Sequence, residues 1–336
     1  MTYCTRDYIL HALTSLESAL DLHAESKAHL ICVDFIQDIL PWQFKLQERI
    51  QLSSLDEFPK TARLYSDYLQ SRSRFESLVS IKPHLLLELC KSLPENDFVI
   101  YQDTDVIYFA ELDDYSNFNS KHSVFFFEHA YTSRKANYPY GKYNAGFLVL
   151  RNNNSSREFL KNWSSKCHDW CFLRAENGRY ADQKYLEEFI HHRYVSAEPC
   201  KRINLGMHFF EGGGKVRKVR DKVLINDEVL ICFHFHGFKV HKRVTESGLN
   251  RYGLNMRNLS KFLILYLPTL MRYFEIKRNL EHQIGQPSVE SIQLTTDNPI
   301  GYSELTLFRK LMSGITGTYL QNSVLRRIHL IRQGKS

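Results

Sequence analysis

Asp103 and Asp105 stand one residue apart in the run Phe98-Val99-Ile100-Tyr101-Gln102-Asp103-Thr104-Asp105-Val106-Ile107-Tyr108-Phe109, flanked on both sides by apolar and β-branched residues. In a strand, positions i and i+2 leave the same face. The pattern therefore predicts two carboxylates pointing one way at the end of a buried strand. Paired hard oxygen donors suit Mg²⁺ or Mn²⁺, which takes one or two carboxylates and completes its shell with water and diphosphate oxygens. An Asp-x-Asp pair also occurs as an ordinary polar strand end, so the chemistry needs further residues.

Four other segments supply them. Cys232-Phe233-His234-Phe235-His236-Gly237-Phe238-Lys239 closes an apolar run with two histidines, a glycine and a lysine. Imidazole nitrogen is a reasonable third ligand for Mn²⁺, and lysine offers a point charge to phosphate. Lys82, just before Pro83, is a second candidate phosphate contact. Asn144-Ala145-Gly146-Phe147 puts small residues and an amide ahead of a buried strand, where a ligand can approach the backbone and Asn144 can bond sugar hydroxyls. Asp182-Gln183 opens an amphipathic segment, either as a helix cap or as a pair of polar groups facing a ligand.

The elements that must position these groups alternate. Short apolar runs at Thr2–Thr5 and His29–Phe35 read as strands, with helical periodicity from Tyr8 to Leu20 between them. A helical pattern over Lys82–Cys90 leads to the aspartate strand, and further strands are expected at Ser123–Glu128, Gly146–Arg151, Val223–Asn226 and Val229–His236. A helix around Ser156–Cys171 carries Phe159, Leu160, Trp163 and Cys167 on one side. Such alternation predicts an α/β fold with a parallel sheet covered by helices and a ligand at the carboxyl ends of its strands. Gly212-Gly213-Gly214 reads as a flexible turn, because no helix follows it. Neither a dinucleotide-binding Gly-x-Gly-x-x-Gly after the first strand nor a Walker A motif is present.

The chain has 336 residues, 43% of them hydrophobic and 24% charged, as in a soluble globular protein. Its seven cysteines lack Cys-x-x-Cys spacing, which argues against a disulfide framework or zinc site and fits a reducing cytoplasm. No export signal and no spanning helix are expected. The net charge is +7, and from Thr306 onward there are six Lys/Arg and no Asp/Glu. The apolar stretch Leu259–Tyr273 contains Pro268 and is expected to form a pair of helices packed on the rest. The chain therefore divides into a catalytic unit, 1–245, and a helical, basic C-terminal extension, 246–336. Basic residues in the tail alternate with leucine and isoleucine without aromatics for base stacking. That composition suits peripheral contact with an anionic membrane, at the inner face of the cell membrane, better than nucleic acid.

Taken in order, Asp-x-Asp, Asn-Ala-Gly-Phe, Asp-Gln and His-x-x-Gly with a nearby lysine resemble GT-A fold glycosyltransferases related to glycosyltransferase family 8. Glycogenin and the lipopolysaccharide galactosyltransferases belong to that group. Cys4-Thr5-Arg6-Asp7-Tyr8, Lys82-Pro83-His84-Leu85-Leu86 and Phe233-His234-Phe235-His236-Gly237-Phe238 are closer still to bacterial cell-surface glycan transferases. The resemblance covers roughly residues 2–240. It implies a Rossmann-like nucleotide-diphospho-sugar transferase fold, and a metal held by Asp103, Asp105 and His234. It implies donor contacts from Thr5, Tyr8, Lys82, Asp103, Gly237 and Lys239, and catalytic positions at Asn144, Asp182 and Gln183. The implied reaction is metal-dependent, retaining transfer from a nucleotide sugar, with a uridine diphosphate sugar favoured, to a glycan or lipid-linked acceptor in capsule, O-antigen or lipopolysaccharide synthesis. Two positions depart from the family: Lys239 follows Gly237 by two residues and lacks the Pro-Trp that usually comes next, and Gln102 stands where leucine is usual. The rival readings are a sugar-phosphate nucleotidyltransferase, which needs a Gly-rich loop that Cys4-Thr5-Arg6-Asp7 does not provide, and a basic nucleic-acid-binding protein.

Overall fold

The computed structural model describes residues 1–34, 48–112, 118, 121–129, 139–199, 201–210, 213–237, 239–240, 245–246 and 256–284. Three parallel strands come first: β1 (Thr2–Cys4), β2 (Ala28–Cys32) and β3 (Ile50–Ser54), with β2 in the middle. A second group holds β4 (Phe98–Gln102), β6 (Val124–Glu128), β7 (Tyr143–Arg151) and β8 (Val195–Glu198), in the order β4-β7-β6-β8. Met1 fuses the groups. Its nitrogen donates to the Ile100 carbonyl at 2.7 Å, and its own carbonyl accepts from the Gln102 N–H at 3.1 Å. That bonding is the pattern of parallel neighbours. The result is one sheet in the order β3-β2-β1-β4-β7-β6-β8.

The sheet is mixed, with antiparallel members added to the parallel sheet that the alternation of elements predicts. β7 runs against both β4 and β6. Its first residues therefore lie at the edge where β1 and β4 end, which brings Asn144–Gly146 beside the aspartates without a crossover.

Both faces of the sheet are covered, which is why its strands are almost continuously apolar. Tyr3, Ile31, Val99, Tyr101, Phe126 and Leu148 face a core shared with α3 (Arg74–Ser92) and α4 (Asn154–Asp169). Before α3 come α1 (Ile9–Leu20) and α2 (Pro59–Tyr68). Ser73 caps α3 by accepting from the Glu76 N–H, and Glu76 returns the bond to the Ser73 N–H at 2.9 Å. On the opposite face Cys4, Leu30, Cys32 and Leu52 pack with α1.

A smaller sheet stands over the end of β4. There β5 (Val106–Tyr108) pairs antiparallel with β13 (Cys232–His234), and β13 pairs parallel with β9 (Leu205–Gly206). The intervening β10 (Val216–Val219), β11 (Lys222–Ile225) and β12 (Glu228–Val229) form an antiparallel meander. The expected strand over Val229–His236 is thus split in two by Leu230 and Ile231. β14 (Lys239–Val240) and β15 (Thr245–Glu246) pair antiparallel just beyond it.

After the four-residue α5 (Leu186–Phe189), the last helix is α6 (Met256–Ile284). It is one continuous helix and not the expected pair. Pro268 sits on its exposed side, where the carbonyl that loses its N–H partner can meet water. Phe262, Leu265, Tyr266, Tyr273 and Ile276 bury the other side in the core shared with α1. Among the described residues no helix is long and apolar enough to cross a membrane. The basic segment after Thr306 lies outside the described residues. Among them, the six cysteines are free and buried.

Candidate active site

Asp103 and Asp105 converge by a turn and not by strand alternation. β4 stops at Gln102 and β5 starts at Val106, and the Val106 N–H donates back to the Asp103 carbonyl at 3.2 Å. The turn is tied down from both sides: the Asp103 N–H donates to the Gly146 carbonyl at 2.8 Å, and the Phe235 N–H to the Asp105 carbonyl at 2.9 Å. These two bonds couple the aspartates to β7 and to the end of β13.

His234 closes the group. Its Nε2 lies 2.9 Å from Asp105 Oδ1 and 3.8 Å from Asp103 Oδ2, and one ligand atom from each of the three residues lies within 4.8 Å of the others. His234 Nδ1–H donates to Asn204 Oδ1 at 3.1 Å. That bond fixes the tautomer, so the Nε2 lone pair faces the carboxylates. Two acceptors 2.9 Å apart need a cation or a proton between them. Burial alone would push the His234 imidazole down, but the Asp105 carboxylate, with Asp103 behind it, outweighs burial and raises it. The same arrangement fits a divalent cation: two hard oxygens and one imidazole nitrogen, the nitrogen oriented from behind.

Lys82 lies beneath this group, buried on α3. Its ammonium is 2.8 Å from Asp182 Oδ2 and 3.8 Å from Asp103 Oδ1, and it donates to the Ala145 carbonyl at 3.1 Å. Burial opposes its charge, but the two carboxylates hold its pKa above the ordinary lysine value. The candidate phosphate contact is therefore committed to the protein's own acids. Asp182 is equally buried, and burial pushes its carboxyl up while Lys82 pulls it down. Its side chain makes no helix-capping bond. Its backbone is anchored where Trp163 Nε1 donates to the Asp182 carbonyl at 2.9 Å.

Asn144 sits at a register shift in the β6–β7 pairing, where Phe127 pairs with Asn144 after Phe126 has paired with Leu148. It donates to His236 Nε2 at 2.9 Å and accepts from the Gly146 N–H. The His236 ring lies 3.8 Å from that of His234, centroid to centroid, and burial first, then His234, pushes its pKa down. Gln183 is half-buried and donates to the Tyr140 carbonyl at 2.6 Å. Thr5 and Tyr8 lie just past β1, at the edge where β4 also ends, in a turn closed by the Tyr8 N–H on the Thr5 carbonyl at 3.0 Å. Gly237 has φ +77°, the left-handed turn that sends the chain away from His236. Lys239 opens β14, and its side chain lies outside the described residues.

Sequence reasoning missed Asn204, Tyr101 and the tight fit at Gly146. A Cβ on Gly146 would stand 2.3 Å from His234 Cε1, 2.6 Å from Asp103 Oδ2 and 2.7 Å from Asn144 Oδ1. Gly146→Ala must therefore shift two side chains of the candidate metal site, those of His234 and Asp103, at once. Overpacking costs about 1–3 kcal/mol, and a displacement of about 1 Å at a reacting centre costs about 100-fold in rate. The expected result is a folded protein with that loss in turnover and weakened Mn²⁺ binding by titration. Parental Mn²⁺ affinity in the variant would show that the ring and carboxylate can step aside.

The family model described as glycosyl transferase family 8 matches residues 1–238. Two Bacillus subtilis (strain 168) proteins are similar to the chain. YfnD is 22% identical over 281 residues, covering 80% of this chain and 86% of its own. YfnF is 23% identical over 260 residues, covering 71% and 82%. Both are described as uncharacterized. Among solved structures, an active-site mutant of LgtC superposes with a TM-score of 0.50 at 15% identity, over 75% of this chain and 92% of LgtC. At that identity the likeness speaks for the fold. The family match sets aside the nucleotidyltransferase reading and the nucleic-acid-binding reading. A mixed sheet with the Asp-x-Asp turn at its edge, matched over that span, means that the chain belongs to glycosyl transferase family 8 and is a glycosyltransferase of the GT-A fold.

Proposed function

We propose that this enzyme moves a hexosyl group from a uridine diphosphate sugar, with Mn²⁺ or Mg²⁺, to a glycan or lipid-linked acceptor in bacterial surface polysaccharide synthesis, with retention at the anomeric carbon. The convergence of Asp103, Asp105 and His234 at the edge where β1 and β4 end carries this reading. A divalent cation held by the three would supply Lewis-acid neutralisation of the departing diphosphate. Thr5 and Tyr8, past the end of the neighbouring strand, are the proposed contacts to the base, with the Tyr8 ring available for stacking. Gly237 and Lys239 follow the third ligand and are assigned to the phosphates.

Asn144 and Gln183 are assigned to the donor sugar, each held by its own bond, to His236 and to the Tyr140 carbonyl. Asp182 holds Lys82, whose ammonium also donates to the Ala145 carbonyl, beneath the sugar. Because its carboxylate is buried against an ammonium, the acceptor proton is assigned to an oxygen of the leaving phosphate. The extension beyond residue 245 is assigned to attachment, its basic tail meeting an anionic cytoplasmic membrane surface.

The test is a thermal-shift screen of nucleoside diphosphates with and without Mn²⁺. Uridine diphosphate with Mn²⁺ at about 100 times its Kd should add about 2.7 kcal/mol, a rise of about 4 °C. The same rise in excess chelator would remove the metal from the proposal. A larger rise with another base would replace the donor.

A further inference from the structure

Asp103 offers its two oxygens to two different surroundings. Oδ2 faces the metal site, 3.8 Å from His234 Nε2 and against Gly146. Oδ1 faces inward, where it accepts a 2.5 Å hydrogen bond from the Tyr101 hydroxyl and lies 3.8 Å from the Lys82 ammonium. Tyr101 is buried at the end of β4, so its ring is held by the core and its hydroxyl cannot follow the carboxylate if that rotates. The neighbouring Tyr3 hydroxyl donates to the Leu78 carbonyl at 2.8 Å and also lies within hydrogen-bonding reach of the Tyr101 hydroxyl.

We infer that the Tyr101 hydroxyl restricts Asp103 to one metal-facing oxygen and thereby makes the site select a small octahedral cation over Ca²⁺. The argument is coordination chemistry. Mg²⁺ takes single carboxylate oxygens in near-ideal octahedral geometry, and Mn²⁺ accepts the same donors. Ca²⁺ needs six to eight oxygens at longer distances and commonly gathers them by gripping a carboxylate through both. Here two-oxygen ligation by Asp103 would strip Oδ1 of its Tyr101 bond and leave the buried hydroxyl without its charged acceptor. Tyr101 is thus a positioning residue: it never reaches the cation, and it acts through Asp103.

The inference rests on the proposed metal site and is tested on it without turnover. Mn²⁺ and Ca²⁺ affinities are measured by calorimetry on the full chain, with no nucleotide present, for the parent, Tyr101→Phe and Tyr185→Phe. The parent should prefer Mn²⁺. Tyr101→Phe should narrow the Mn²⁺-to-Ca²⁺ affinity ratio about tenfold, mainly through tighter Ca²⁺ binding, since one hydrogen bond to a charged group is at stake. Tyr185→Phe, which removes a buried hydroxyl committed to the Trp170 carbonyl at 2.7 Å, should leave the ratio unchanged. A ratio unmoved in Tyr101→Phe, or moved equally in Tyr185→Phe, overturns the inference and leaves the metal site standing. A parent that binds Ca²⁺ as tightly as Mn²⁺ overturns it even if the Phe variant does not fold. A parent that binds no Mn²⁺ overturns the metal site itself.

Discussion

Asp103→Asn should lower sugar transfer about 10³-fold at saturating Mn²⁺ while the protein stays folded. The structure dictates how the new amide would lie. Its oxygen is claimed by the Tyr101 hydroxyl, so the NH₂ group would face His234 and the metal position. An N–H donor cannot ligate a cation, so the substitution removes a ligand where a solvent-exposed carboxylate would merely have been weakened. His234→Ala should follow it, losing the one nitrogen that Asn204 holds in place. His236→Ala should keep most metal binding, because that ring is bonded to Asn144 and lies beside the triad. Turnover and Mn²⁺ titration on the three variants decide the matter. Comparable turnover in Asp103→Asn and the parent would sink the metal assignment.

The largest stability effect is expected at Lys82→Met. The side chains are close in volume, but the ammonium neutralises Asp182 in a site closed to water and lies within 3.8 Å of Asp103. Removing one partner of a buried pair leaves a charge with no solvent to screen it, at a cost of about 3–5 kcal/mol. Urea denaturation should show that loss. Pairing Lys82→Met with Asp182→Leu should recover more than about 1 kcal/mol, because the orphaned charge goes with its partner. A single variant within about 0.5 kcal/mol of the parent, or a double variant equal to the sum of the two singles, would mean that water reaches the pair.

The aspartates were legible in the sequence because an apolar strand delivered them, but their geometry was not. Strand alternation gave the right neighbours for the wrong reason, since the chain has already turned at Asp103. Strand direction was equally hidden. The apolar run of β7 reads the same in either direction, and only its connections decide that it runs against β4. Lys82 was legible as a candidate phosphate contact from its place just before Pro83, but its pairing with Asp182 at 2.8 Å was not, because it depends on the register of α3. Asn204 could not be found from its own surroundings. It matters only because β9 pairs with β13 and so sets it against His234. Pro268 marked a helix break that did not form, because it falls on the side of α6 turned to solvent.

The three donor side chains come from a turn at residue 103 and a strand that ends at residue 234, and nothing local joins them. Closing a loop of that length is slow, and contacts of such wide separation in sequence are made late in the search for the native state. β13 must settle between β5 and β9 before any cation can be shared. A cation bound there would therefore do little to hasten the arrival of the native chain and much to delay its departure. It would act as a latch thrown after the door has shut, and its removal would be felt as a shorter lifetime of the folded enzyme.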